Sequence, residues 1–102
     1  MIKLRILNHG KLAGILEYSE EDHYLFCYDE AYQGAPISLT MPLEKQSFHY
    51  KKLPPFFDGL LPEGIMLEAL LRKYKLDKSD YMGQLKQIGQ DVVGSVTIEE
   101  MK

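Results

Sequence analysis

Alternation of apolar and charged side chains at the N-terminus constrains the fold of this chain more than any other feature of its sequence. Ile2, Leu4 and Ile6 alternate with basic residues over the range 2–7. This period of two is typical of a β-strand with one buried face and one solvent-facing side. Such a strand is stable only within a sheet whose apolar face is covered by other elements.

The next two segments continue the pattern. Residues 8–11 contain an asparagine and a glycine, which tolerate positive φ, so we expect a hairpin turn there. Residues 12–18 then resume the strand pattern, and the aromatic-rich residues 23–28 follow after a turn at 20–22. The sequence therefore predicts a three-stranded antiparallel meander.

Three shorter segments are also predicted to be extended. Residues 36–43 alternate and contain Pro36 and Pro42, which favours a short extended piece at a sheet edge. Residues 48–50 are expected to extend in the same way. Residues 92–98 are expected to form a final strand that closes the domain.

From Pro54 onwards the sequence predicts helices. Pro54 and Pro55 are expected to open a short turn that carries four apolar side chains, Phe56, Phe57, Leu60 and Leu61. Pro62 suits the first position of a second helix, where Glu63 would lie at the positive end of the helix dipole. Four apolar side chains of that helix share one stripe, which predicts that it covers the sheet: Leu67, Leu70, Leu71 and Tyr74.

A third helix is predicted after a cluster of cations. These cations are favoured at a helix C-terminus by the dipole and by solvation, and we interpret them as structural rather than as a phosphate site: Arg72, Lys73, Lys75 and Lys78. Ser79 can cap the third helix and Gly89 can end it. Its inner face is predicted to carry Tyr81, Leu85 and Ile88.

Together these elements predict an α+β domain spanning residues 1–102, in which an antiparallel sheet of the N-terminal meander and a C-terminal strand is covered by about three helices. Apolar residues make up 45% and charged residues 26% of the chain, which is typical of a globular protein. No apolar run approaches the roughly 20 residues of a membrane span, and no signal peptide is visible. Cys27 is the only cysteine and is interpreted as a small buried hydrophobe in a reducing compartment, so we expect a soluble, cytoplasmic protein without membrane contacts.

Catalytic and metal-binding signatures are absent from the sequence. His9, His23 and His49 are far apart and are interpreted as surface residues, so no metal site is predicted. No Gly-x-Ser-x-Gly elbow is present, and phosphoryl transfer would need a Gly-rich loop and paired acidic motifs that the chain lacks. The segment 89–94 follows a helix and enters a strand, the reverse of a phosphate loop. We therefore expect no enzyme activity, no catalytic residue and no cofactor.

The charge balance argues against direct binding of nucleic acid. The formal net charge is -3 and the isoelectric point is near 5.6. A nucleic-acid backbone would repel the molecule overall.

One exposed apolar position is predicted on the second helix. At about 100° per residue, Ile65 lies about 160° from the centre of the apolar stripe, so it points toward solvent. Met66 flanks the stripe, and Gly64 allows another backbone to approach closely. A protein-binding surface and a singly exposed isoleucine of no consequence are both consistent with this pattern.

Three blocks of sequence carry a resemblance to a known family. They are residues 36–43 (Pro-Ile-Ser-Leu-Thr-Met-Pro-Leu), 56–64 (Phe-Phe-Asp-Gly-Leu-Leu-Pro-Glu-Gly) and 89–96 (Gly-Gln-Asp-Val-Val-Gly-Ser-Val). In this order, and after the opening hairpin, they resemble the N-terminal subdomain of HipA-type toxin kinases over nearly the whole chain. A free-standing version of that subdomain is similar to HipS, the small component of HipBST toxin–antitoxin systems.

The resemblance implies an antitoxin that docks in trans on a HipT-like serine/threonine kinase and occludes its active site or restrains its mobile loops. The partner-binding residues expected from it lie in one stretch: Asp58, Gly59, Pro62, Glu63, Gly64, Ile65 and Met66. The stretch lacks the Trp, Tyr or Arg anchor of most strong interfaces. Two alternatives stay open: a regulatory component that joins the kinase and a HipB-like helix-turn-helix repressor on operator DNA, and an N-terminal fragment of a one-chain kinase.

Overall fold

A computed structural model describes residues 2–21, 23–89 and 95–101. The elements in chain order are β1 (Ile2–Asn8), β2 (Lys11–Ser19), β3 (His23–Tyr28), β4 (Ser47–Tyr50), α1 (Pro55–Asp58), α2 (Gly64–Tyr74), α3 (Tyr81–Ile88) and β5 (Val96–Glu100). The strands form one antiparallel sheet in the order β4-β3-β2-β1-β5. The predicted α+β fold and its opening meander are therefore confirmed.

The β1–β2 hairpin closes through two residues with positive φ. His9 has a φ of 52° and Gly10 a φ of 79°, the backbone that a tight hairpin turn requires. Near this turn the register of β1 shifts between Ile6 and Leu7. Asn8 shares the inner face of the strand with Leu4 and Ile6 by alternation; it is buried and donates its amide Nδ2 to the Tyr32 hydroxyl at 2.9 Å.

The core fills one face of the sheet and is rich in aromatic rings. Phe26 lies at its centre, with ring centroids 4.9 Å from Tyr28, 6.5 Å from Phe48 and 5.8 Å from Phe57. The fully buried aliphatic residues around it come from strands, a loop and α3: Leu4, Ile6, Leu16, Met41, Leu85 and Ile98. Cys27 points to the opposite face and is only half-buried, so its expected full burial is wrong.

The extended edge piece predicted over residues 36–43 is wrong, because this segment forms bends and turns. The Tyr28 hydroxyl lies between its two buried residues. It accepts a hydrogen bond from the Ile37 backbone N–H at 3.0 Å and donates one to the Met41 carbonyl. A core side chain therefore supplies the partners that a neighbouring strand would otherwise supply. The short extension predicted at 48–50 is confirmed as β4, which pairs with β3.

α2 begins later than predicted and does not form the main cover of the sheet. Its first residue is Gly64, so Pro62 lies outside the helix. None of its residues is buried, and the stripe that includes Leu67 and Leu70 is only half-buried. α2 packs against α3, and α3 packs on β1 and β5. The amphipathic stripe gave the direction of the core correctly but not the depth of burial.

α3 is the helix that reaches the core. Asp80, not Ser79, caps it, since the Asp80 carboxylate accepts from the Gly83 N–H at 3.0 Å. The buried Gln84 amide donates to the carbonyls of Asp77 at 3.2 Å and Lys78 at 3.0 Å, which fixes the connection from α2.

On the predicted inner face of α3, Leu85 is buried and Ile88 is partly buried, whereas Tyr81 is substantially exposed. Gly89 follows the helix as predicted, with a φ of -53°. A Cβ there would lie 2.2 Å from the Ile98 carbonyl oxygen, so glycine allows the helix end to approach β5 closely. Residues 92–94 of the predicted final strand lie outside the described residues, and β5 itself extends to Glu100.

The contrast between α2 and α3 can be tested with two matched leucine truncations. We expect Leu85→Ala to lower the free energy of unfolding by about 2–5 kcal/mol, the range for a buried leucine that leaves a cavity. Leu70→Ala should cost less than half as much, since part of that side chain is already in water. Urea denaturation of both variants measures the difference, and equal losses would contradict the assignment of α3 as the core helix.

Tyr28→Phe tests the hydroxyl that holds residues 37 and 41. Removing it leaves a buried N–H and a buried C=O without this partner, which should cost about 1–3 kcal/mol. Burial also raises the pKa of Tyr28 above its ordinary value of 10.0. The neutral hydroxyl therefore contributes fully below about pH 10, and its contribution falls as the pH rises further, because the unfolded chain ionises first. Denaturation curves at neutral and high pH should show the gap between wild type and variant narrowing; a constant gap would contradict the assignment.

Candidate protein-binding surface

The residues predicted to bind a partner lie in the segment that joins α1 to α2 and in the first turn of α2. The segment is anchored at its start by Phe57, which is fully buried next to Asp58. Two consecutive turns follow, in which the N–H groups of Leu60 and Leu61 donate to the carbonyls of Phe57 at 3.1 Å and Asp58 at 3.2 Å. Both leucines pack partly against the core. The segment is therefore held close to the body of the domain while its other residues face outward.

The predicted exposure of Ile65 is confirmed. Its side chain is 81% exposed, and that of Met66 is 70% exposed, so the two form an apolar pair at the start of α2. Glu68 and Arg72, which share the outward face with Ile65 at helical spacing, are exposed as well. The pair therefore projects from a helix face that no other part of the described chain covers.

The remaining predicted residues differ in their surroundings. Gly64 has a φ of 59°, a left-handed backbone that favours glycine, and open space around its Cβ position. Gly59 caps the end of α1 with an ordinary helical φ of -65°. Pro62 is half-buried, whereas Asp58 and Glu63 are exposed and form no ion pair with a described residue. The surface therefore combines an apolar pair with two exposed carboxylates.

A cleft adjoins this surface at Asp58. It has a volume of about 680 Å³ and is lined by Tyr18, Tyr24, Lys51, Lys52, Leu53, Asp58, Ser79 and Tyr81. Its polar groups are two ammonium groups, a carboxylate and hydroxyls. Among the described lining residues, no histidine lies next to the serine to act as the base that nucleophilic catalysis by serine most often uses.

Two further findings concern the described part of the chain. Across residues 2–21, 23–89 and 95–101, no group of three or more His, Cys, Asp or Glu side chains is arranged to hold a metal ion. Within the same ranges, none of the helices has the length and apolar character that crossing a bilayer requires.

Sequence reasoning missed the most exposed large apolar residue of the described part of the chain. Leu39 is 98% exposed, at the tip of the loop between β3 and β4. The loop is closed beneath it, because the Ser38 hydroxyl accepts from the Thr40 N–H at 3.3 Å and the Met41 N–H donates to the Ser38 carbonyl at 3.0 Å. The Ser-x-Thr spacing is a turn signal that could have identified this tip.

Comparisons with known proteins agree on one relationship. The family model described as the HipA N-terminal domain matches residues 4–99. A solved structure titled N-terminal domain of HipA toxin superposes with a TM-score of 0.80 at 29% identity, covering 100% of this chain and 94% of that one.

Two relatives differ in their length. An uncharacterized protein of Haemophilus influenzae is 35% identical over 100 residues, which cover 96% of this chain and 92% of that protein. A protein of Sinorhizobium fredii named "Putative kinase Y4mE" is 26% identical over 102 residues, which cover 93% of this chain and 24% of that protein. The chain therefore spans nearly all of the first relative and about a quarter of the second.

Proposed function

Because the chain belongs to the HipA N-terminal domain family, we propose that it is a binding subunit that docks in trans on a HipT-like serine/threonine kinase toxin and inhibits it. In this proposal the chain is a non-enzymatic antitoxin. Its contribution is the surface that it offers to the kinase, and a HipB-like helix-turn-helix repressor is a further partner of the complex.

The lengths of the relatives support binding in trans. The domain matches 24% of the Sinorhizobium fredii protein whose name describes a kinase, and 92% of the short Haemophilus influenzae protein. The same fold is therefore found within a long chain and as nearly all of a short one. In our proposal, the domain that is part of one chain in the long relative binds the kinase as a separate subunit here.

The observation that carries the proposal is the exposed pair Ile65 and Met66 on a helix without a buried residue. Burying an apolar side chain of this size contributes about 1.5–3 kcal/mol. Two such side chains next to each other form the apolar centre that a protein interface needs. Methionine also adapts its shape to an irregular surface.

The carboxylates beside this pair indicate the chemistry of the partner surface. Asp58 and Glu63 lie in the same segment, and neither forms an ion pair with a described residue. A partner with basic residues around an apolar depression would match both features, and the charges would speed association and fix the orientation.

The area of a stable interface indicates that more of this chain than the predicted segment must contact the kinase. A standard interface buries about 800 Å² on each partner, which is roughly one ninth of the 6932 Å² surface of this chain. A segment of nine residues is small for this area. We therefore include the outward face of α2, which continues from Ile65 to Arg72, in the proposed contact.

Inhibition in this proposal needs no covalent chemistry. A subunit that binds an inactive arrangement of the kinase more tightly than the active one shifts the population toward the inactive state. Occlusion of the substrate site would have the same effect on activity. Both routes require only binding.

Purification and kinase assays test the proposal directly. A HipT-like kinase produced together with this chain is expected to co-purify with it and to lose phosphorylation activity as the chain is added. Failure to form a complex would overturn the proposal. A rise in activity on addition would also overturn it, since the chain would then complete the kinase instead of inhibiting it.

Ile65→Asp tests the contact surface. We expect at least a tenfold weaker affinity for the kinase, equivalent to about 1.4 kcal/mol, because a carboxylate would replace the apolar centre of the interface. Leu39→Asp is the matched control, since it places the same charge at an even more exposed leucine on another loop. Calorimetric titration gives both affinities, and circular dichroism verifies that both variants fold. An unchanged affinity for Ile65→Asp, or equal losses in both variants, would remove Ile65 from the interface.

A further inference from the structure

Two of the three histidines, which are far apart in sequence, meet on the solvent-facing side of the sheet. In the pairing of β3 with β4, His49 lies opposite Leu25. His23 is two residues before Leu25 on the same strand, so its side chain lies on the same face and diagonally across from His49. The imidazole centroids are 6.0 Å apart, and the ring planes are nearly perpendicular at 89°.

The pair lines a small depression that is open to solvent. The depression has a volume of about 260 Å³ and is lined by Glu17, Ser19, His23, Leu25 and His49. Both imidazoles are exposed, so their rotamers can change without disturbing the core. The Glu17 carboxylate already pairs with the Lys3 ammonium at 3.4 Å, which leaves the two imidazoles as the ligands of this site.

We propose that His23 and His49 form a binding site for a divalent transition metal ion of the class that prefers imidazole, such as Zn²⁺ or Ni²⁺. Two imidazoles on one zinc ion, with metal–nitrogen bonds of about 2.0–2.1 Å, place their ring centroids roughly 5 Å apart. The observed 6.0 Å differs from this by about 1 Å, which side-chain rotation at two exposed residues supplies. Water completes the coordination, because no third His, Cys, Asp or Glu of the described residues joins the pair.

The site would link the edge of the sheet to its interior. β4 is one of the two edge strands, has four residues and pairs with β3. A metal ion held by one histidine from each strand would cross-link them and stabilise the edge. This inference is independent of the proposed kinase binding, since it concerns the opposite face of the sheet from the one that the helices cover.

Thermal unfolding with and without ZnCl₂ or NiCl₂ tests the site, using three variants that each retain two histidines: His23→Gln, His49→Gln and His9→Gln. Binding to the unfolded chain is thereby matched across the set. His9 lies in the β1–β2 turn and serves as the control. At a metal concentration about ten times the dissociation constant, the wild type and His9→Gln should melt roughly 5–10 °C higher, whereas His23→Gln and His49→Gln should lose the shift.

Three outcomes would overturn the proposal. The first is the absence of a metal-dependent shift in the wild type. The second is a shift of equal size in all three variants, which would indicate adventitious binding. The third is an equal shift with MgCl₂, because Mg²⁺ prefers oxygen ligands and should not use this pair.

Discussion

The packing of Phe57 against Phe26 holds α1 and the start of the candidate binding surface to the sheet. Phe26 comes from β3 and Phe57 from α1, and their ring centroids are 5.8 Å apart with both side chains fully buried. α1 has only four residues, so it depends on this contact rather than on its own hydrogen bonds. The exposed segment begins at the next residue, Asp58. The buried ring of Phe57 thus fixes where the exposed segment begins.

The strands near the N-terminus could be predicted because alternation reports directly on their burial. Ile2 is an exception, since it is exposed at the strand end, but Leu4 and Ile6 are buried as their spacing requires. The helices were harder, because a stripe at a period of 3.6 gives only the inward side of a helix. Leu70 in α2 and Leu85 in α3 fit their patterns equally well, yet only Leu85 reaches the core. The depth to which a helix is buried depends on whether it packs directly on the sheet. That is set by the fold of the whole chain.

In the functional surfaces too, some features follow from a local sequence pattern and others depend on contacts between distant residues. The exposure of Ile65 follows from its angle around one helix and was predicted correctly. The meeting of His23 with His49 follows from the register between two strands that are separated by a long connection, and no local pattern gives that register. The departure of residues 36–43 from the predicted extended conformation has a related cause. The hydroxyl of Tyr28, which holds both sides of this loop, belongs to a different element.

The weak burial of α2 connects the fold to the proposed function. A helix of eleven residues is marginal in water on its own, and this one has no buried residue to offset that cost. It is held by α3 and by a left-handed C-cap at Lys75, whose φ is 55°. A partner that covers Ile65 and Met66 would supply the apolar burial that the core does not, so binding and helix stability are linked. The same sequence feature, an apolar pair on the outward face, adds little to the stability of the isolated domain but would contribute to the stability of the complex that we propose.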